Sequence, residues 1–159
     1  MIKINEKTGL PECNTSEEGV LVPARTEPPT NAHKEYFRIL CSNFKKCIFI
    51  IGSCYVNGTE RHCIPAVIRA KMICAMLEEI NVPACKYETV PLADYPDDNE
   101  WLDNLLKIKE KYCYKFISTG NEWVEEIINS RNCGLTVIDP KLQIEVPYHA
   151  TDVRRTLIE

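Results

Sequence analysis

Residues 19–44, GVLVPARTEPPTNAHKEYFRILCSNF, constrain the fold more than any other part of the chain. Val20, Leu21 and Val22 form a short continuous apolar run, the pattern of a strand buried on both faces. A turn holding Pro28 and Pro29 follows, and then Tyr36, Phe37, Leu40 and Phe44 recur at helical spacing. Thr30 is the expected N-cap, because its hydroxyl can accept a hydrogen bond from an orphan backbone N–H. His33 then falls in the first turn, on the side facing the strand's carboxyl end. A strand delivered into a helix N-terminus predicts an anion site, since unpaired N–H groups and the positive end of the dipole converge there. Arg25 before the turn and His33 after it line that place with positive charge.

The same unit repeats. Residues 47–52, CIFIIG, are another buried run, followed by a polar loop over 54–63 that carries the turn signal Asn57-Gly58 together with Arg61 and His62. Pro65 opens a helix reaching Ile80, with Ala66, Ala70, Ile73, Leu77 and Ile80 as its apolar stripe and Arg69 near its start. A third strand spans 86–92, and an acidic loop with Asp94, Asp97 and Asp98 leads to a helix over 100–111 carrying Leu102, Leu105, Leu106 and Ile108. Trp101, at helical spacing with Leu105, reads equally as core or as a ring platform. A fourth strand over 114–118 ends at Thr119-Gly120-Asn121. A helix with Val124, Ile127 and Ile128 follows, then a fifth strand over 134–138 and a last helix from Thr151 that includes Arg154. Five strands alternating with helices predict a single-domain, Rossmann-like α/β fold: a parallel five-stranded sheet with helices on both faces. Ligands of such sheets lie in the crevice outside the strands' carboxyl ends, where all these turns gather.

A chain of 159 residues is one ordinary domain, and 45% hydrophobic with 26% charged residues are globular values. Residues 1–18 are polar and read as an N-terminal extension, laid over the domain or mobile, ahead of a domain over 19–159. A net charge of −4 argues against a nucleic-acid partner, and no apolar run approaches a membrane span. The first residues lack the apolar core of a signal peptide, so the expected compartment is the cytoplasm. The nine cysteines show no C-x-x-C spacing and several sit in apolar-periodic segments, which reads as free thiols rather than a zinc site or disulfides.

The segment ARTEPPTNAH resembles the first signature of the nucleotidyltransferase superfamily, H/T-x-G-H after a strand, and HATDVRR resembles the second, I-S-[ST]-T-x-[IV]-R. Ala32 stands where the first signature has Gly, and Ala150 where the second has a small Gly or Ser. The middle is similar to the archaeal-type nicotinamide mononucleotide adenylyltransferases. Gly52-Ser53 and Arg61 keep that branch's spacing, Arg69 and Met72 fall on its E-R-x-x-M, and Pro91, Asp94 and Trp101 also stay in register. The likeness runs from about Gly19 to Leu157.

The resemblance implies attack of an acceptor's phosphate oxygen on the α-phosphorus of ATP, with pyrophosphate leaving. It places His33 and Arg154 at the reacting phosphates. Arg25, Thr30, Gly52, Gly120 and Thr151 fall in the ATP site, and Arg61, Asp94 and Trp101 on the acceptor, nicotinamide mononucleotide above all. Mg²⁺ is expected to arrive with ATP and to need few protein ligands. Two readings stay open beside this one: transfer to phosphopantetheine or flavin mononucleotide, and a non-catalytic nucleotide-binding module. Ala32, Ala150 and a chain that ends five residues after Arg154 favour the module. The sequence leaves the oligomeric state open, a homo-oligomer included.

Overall fold

The structure, a computed structural model, describes residues 2–24, 29–52 and 64–142. Five strands, β1 (Gly19–Ala24), β2 (Lys46–Ile51), β3 (Tyr87–Pro91), β4 (Phe116–Ser118) and β5 (Thr136–Ile138), alternate with four helices. These are α1 (Asn31–Asn43), α2 (Ala66–Glu79), α3 (Asp98–Tyr112) and α4 (Glu122–Asn129). The strands form one parallel sheet in the order β3-β2-β1-β4-β5. The order reverses between β1 and β4, which makes their carboxyl ends the switch point where such sheets hold ligands.

Strand periodicity divides the core into two layers. Val20, Val22, Cys47, Phe49, Ile51 and Phe116 point to one face and pack with Phe37, Leu40, Ile73 and Leu77 of α1 and α2. Leu21, Ile48, Ile50 and Ile117 point to the other and pack with Leu102, Leu105, Val124 and Ile127 of α3 and α4. Because both faces are covered, the central strands carry no polar alternation, which is why continuous apolar runs marked them. Phe37 meets Phe49 edge-on at 4.6 Å between ring centroids, fixing α1 against β2.

Some boundaries differ from the sequence reading, each for a local reason. α3 begins two residues early because Asp97 accepts from the Asn99 N–H at 2.9 Å and acts as its N-cap. β4 and β5 begin later than expected. Cys113 ends α3 in the left-handed conformation at φ 58°, and Gly134 turns at φ 73°, so neither approach is extended. A 3₁₀ turn at Ala84–Lys86 precedes β3. The helix expected from Thr151 lies outside the described residues.

Residues 2–18 lie on the domain. Ile2, Ile4 and Leu10 pack against the α1/α2-side core, and Ile4 bridges Pro11. Gly9, at φ 72°, receives the Asp139 N–H on its carbonyl, and a side chain there would collide with the Asp139 backbone. Among the described residues, seven cysteines are unbridged, and no helix is long and apolar enough to cross a membrane.

Candidate active site

The carboxyl rim is built where β1 hands over to α1. Thr30 takes the extended N-cap conformation (φ −118°, ψ 175°), and His33 at the third helical position closes a capping box with it. The Thr30 N–H donates to Nδ1 of His33 at 2.9 Å, and the Thr30 hydroxyl lies 3.1 Å from the same nitrogen. A nitrogen that accepts cannot also carry the proton, so the neutral ring is protonated at Nε2. Burial holds the His33 pKa below its ordinary value, because the imidazolium would be poorly solvated there. At neutral pH His33 is therefore an uncharged ring with one N–H to give.

Gly52 follows β2, and its N–H donates to the carbonyl of Ala24 at 3.3 Å. Its carbonyl accepts from Nη1 of Arg69 at 2.9 Å, while Nε of Arg69 donates to Ile64 at 3.0 Å. One guanidinium thus holds the residues on either side of 53–63. Arg69 is 0% exposed, a burial such a charge tolerates only with its donors satisfied. The sequence placed Arg69 in a motif without giving it a role. Its depth was not legible, because its carbonyl partners stand 5 and 17 positions away.

β4 ends at Ser118, which is fully buried and shares a hydrogen bond with the Tyr36 hydroxyl of α1. Thr119 donates its N–H to the carbonyl of Ile138, and its hydroxyl accepts from the Asn121 N–H. Asn121 then caps α4 through Trp123 and Val124. Gly120 sits inside this frame: a methyl group there would rest 3.4 Å from the Asp139 carboxylate, in ordinary contact. Among the described residues, a methyl group on Gly52 would meet nothing within 4 Å. Neither glycine is thus required by packing within the described protein. Asp139, which no sequence signal picked out, has its pKa raised by burial, with Lys141 opposing.

Trp101 lies in the first turn of α3, 7% exposed and within the α3/α4-side core. Its ring meets Trp123 of α4 at 5.3 Å, and Trp123 is 46% exposed. The accessible indole of the pair is therefore Trp123, which the sequence reading missed. Its cue was there to find, an aromatic at the start of the helix that follows the Thr119-Gly120-Asn121 turn. Asp94 is exposed on the link between β3 and α3. Topology brings Thr30, His33, Gly52, Gly120, Asp94 and Trp101 to one rim. Arg25, Arg61, Thr151 and Arg154 lie outside the described residues.

No family model matches the chain. It is similar to the nicotinamide-nucleotide adenylyltransferase of Thermococcus kodakarensis, 23% identical over 139 residues that cover 87% of this chain and 72% of the relative. The enzyme of the same name from Pyrobaculum neutrophilum is 24% identical over 138 residues, 87% of this chain and 75% of that one. Among solved structures, a bifunctional NMN adenylyltransferase/ADP ribose pyrophosphatase from Francisella tularensis has the same fold. It superposes with a TM-score of 0.74 at 21% identity over 89% of this chain. The chain spans 42% of that protein's length, and that protein has also been solved with AMP and a manganese ion.

Proposed function

We propose that this chain, which resembles the archaeal-type nicotinamide mononucleotide adenylyltransferases, transfers AMP from ATP to nicotinamide mononucleotide, giving NAD and pyrophosphate. The observation that carries the reading is the Thr30–His33 capping box at the carboxyl end of β1, beside the switch point of a parallel sheet. An oxygen of the acceptor's phosphate forms a bond to the α-phosphorus. The α–β bridging bond breaks, and its electron pair leaves on pyrophosphate. The protein then has to position two phosphates in line and neutralise growing charge.

His33 meets that need with its Nε2–H, aimed at the bridging and equatorial oxygens as charge builds on them. A neutral donor adds little to ground-state binding and most where negative charge develops. Thr30 and the free N–H groups at the start of α1 hold phosphate oxygens. Gly52 and Gly120 let a nucleotide approach the ends of β2 and β4 without a side chain in the way. Arg25, Thr151 and Arg154 are assigned to the triphosphate and Arg61 to the acceptor's phosphate, where a planar donor fork suits paired oxygens. Asp94 reads the acceptor's amide. Trp101 is assigned to its ring together with Trp123, whose more exposed indole offers the accessible flat surface. The nucleotide substrate is MgATP. The ion offsets charge on the phosphates. This reading assigns the protein to the cytoplasm.

Pyrophosphate release with MgATP and a panel of phosphorylated acceptors tests it. Nicotinamide mononucleotide should give the fastest release. Faster release with phosphopantetheine or flavin mononucleotide would move the acceptor assignment. Binding of ATP without release for any acceptor would leave a nucleotide-binding module. Arg61→Ala should weaken the acceptor and spare ATP, and the reverse would undo that assignment.

A further inference from the structure

The hydrogen bond between Tyr36 and Ser118 joins residues 82 positions apart and crosses the switch point. Tyr36 lies one turn along α1 from His33, on the same side of the helix. Ser118 is the last residue of β4, directly before the Thr119-Gly120-Asn121 turn. Ser118 is fully buried, and burial raises the Tyr36 pKa far above its ordinary value, with the charge of Asp139 adding to the effect. Tyr36 therefore keeps its proton at any working pH, and its hydroxyl is hydrogen-bonded to that of Ser118. Beyond Ser118 the turn is fastened again, by Thr119 to β5 and by Asn121 to α4. The Ser118 side of the rim is thus held by three elements, and among the described residues the Tyr36 hydroxyl ties α1 to that frame.

We propose that Tyr36 and Ser118 are a positioning pair that fixes the distance between the phosphate-holding end of α1 and the turn after β4, and with it the alignment of the two substrates. This rests on the adenylyl-transfer reading. The span matters because an in-line displacement tolerates little error: a shift of about 1 Å in one wall costs on the order of 100-fold in rate. Neither residue need touch substrate. The pair acts through His33 on one side and Gly120 on the other.

Tyr36→Phe, Ser118→Ala and the double variant separate this role from packing. Each single variant should lower kcat about tenfold, with the Kd for a non-hydrolysable ATP analogue within about twofold of wild type. The double variant should be no slower than the singles, since one link is lost either way. Unchanged kcat with only a lower Tm would reduce the pair to packing and overturn the proposal. A far larger loss in Tyr36→Phe than in Ser118→Ala would make the Tyr36 hydroxyl a group acting on substrate, which also overturns it. Backbone amide shifts supply a readout independent of turnover. In Tyr36→Phe, the amides of Thr30–His33 and of Thr119–Asn121 should move together, and stillness on the His33 side would contradict the link. If wild type itself releases no pyrophosphate, the functional reading fails and the amide shifts alone decide the pair.

Discussion

Nδ1 of His33 accepts a hydrogen bond from the backbone N–H of Thr30 at 2.9 Å, so the residue that begins α1 also dictates which ring nitrogen carries the proton. A merely structural capping histidine would need no more than this. The adenylyl-transfer account gives the remaining Nε2–H work in the transition state. His33→Ala should then lower kcat roughly 100-fold, the usual cost of removing one preorganised donor, with much less effect on ATP affinity. Steady-state kinetics beside equilibrium binding of an ATP analogue measure the split, and equal turnover in the variant would remove His33 from the chemistry.

Burial of the same ring makes stability depend on pH. Burial lowers the His33 pKa in the folded protein, so the unfolded chain binds the proton more tightly than the native one. Stability rises with pH wherever that holds. The contribution of His33 is thus whole above the ordinary histidine value near 6.5 and is lost as pH falls through the lower native value. Thermal melts from pH 7.5 to 5 should show wild type losing more Tm than His33→Gln. Parallel curves would contradict the assignment of a neutral, Nε2-protonated ring.

Gly52 and Gly120 offer a test that separates ligand approach from folding. A methyl group at either site meets no described protein atom closer than 3.4 Å, and neither residue has a positive φ. Gly52→Ala and Gly120→Ala should therefore fold with little change in Tm. If these positions border the nucleotide, catalytic efficiency should still fall about tenfold for a crowded contact of about 1.4 kcal/mol. Gly9→Ala is the contrast: its left-handed backbone and the Asp139 carbonyl in the way predict a loss of stability instead.

Arg69 tests the frame beneath the site. Its guanidinium satisfies the carbonyls of Gly52 and Ile64 at once. Arg69→Met removes both donors, and at about 1–3 kcal/mol for each acceptor left bare it should cost roughly 2–6 kcal/mol in a urea melt. Arg69→Lys keeps the charge without the planar fork and should recover only part of that loss. A neutral effect of both would show that the burial of Arg69 has no structural consequence.

The layered sheet was legible because strands covered on both faces must be apolar throughout, as residues 47–52 are. The Thr30–His33 pair was legible because a cap is a local device, written within four residues. What escaped was long-range or conformational. Cys113 in the left-handed region carries no sequence mark, so the apolar pattern alone starts β4 two residues early. The link from Tyr36 to Ser118, the nearness of Asp139 to Gly120 and the depth of Arg69 depend on which strands become neighbours. Trp101 shows the limit from the other side: periodicity left core and platform equally open, and only the fold shows Trp123 lying over it as the accessible ring.

The central claim is most directly tested by incubating the protein with MgATP and nicotinamide mononucleotide and separating the products chromatographically. The account predicts NAD and pyrophosphate in equal amounts, abolished when either substrate is left out. Persistence of both substrates unchanged, while an ATP analogue binds with ordinary affinity, would contradict it.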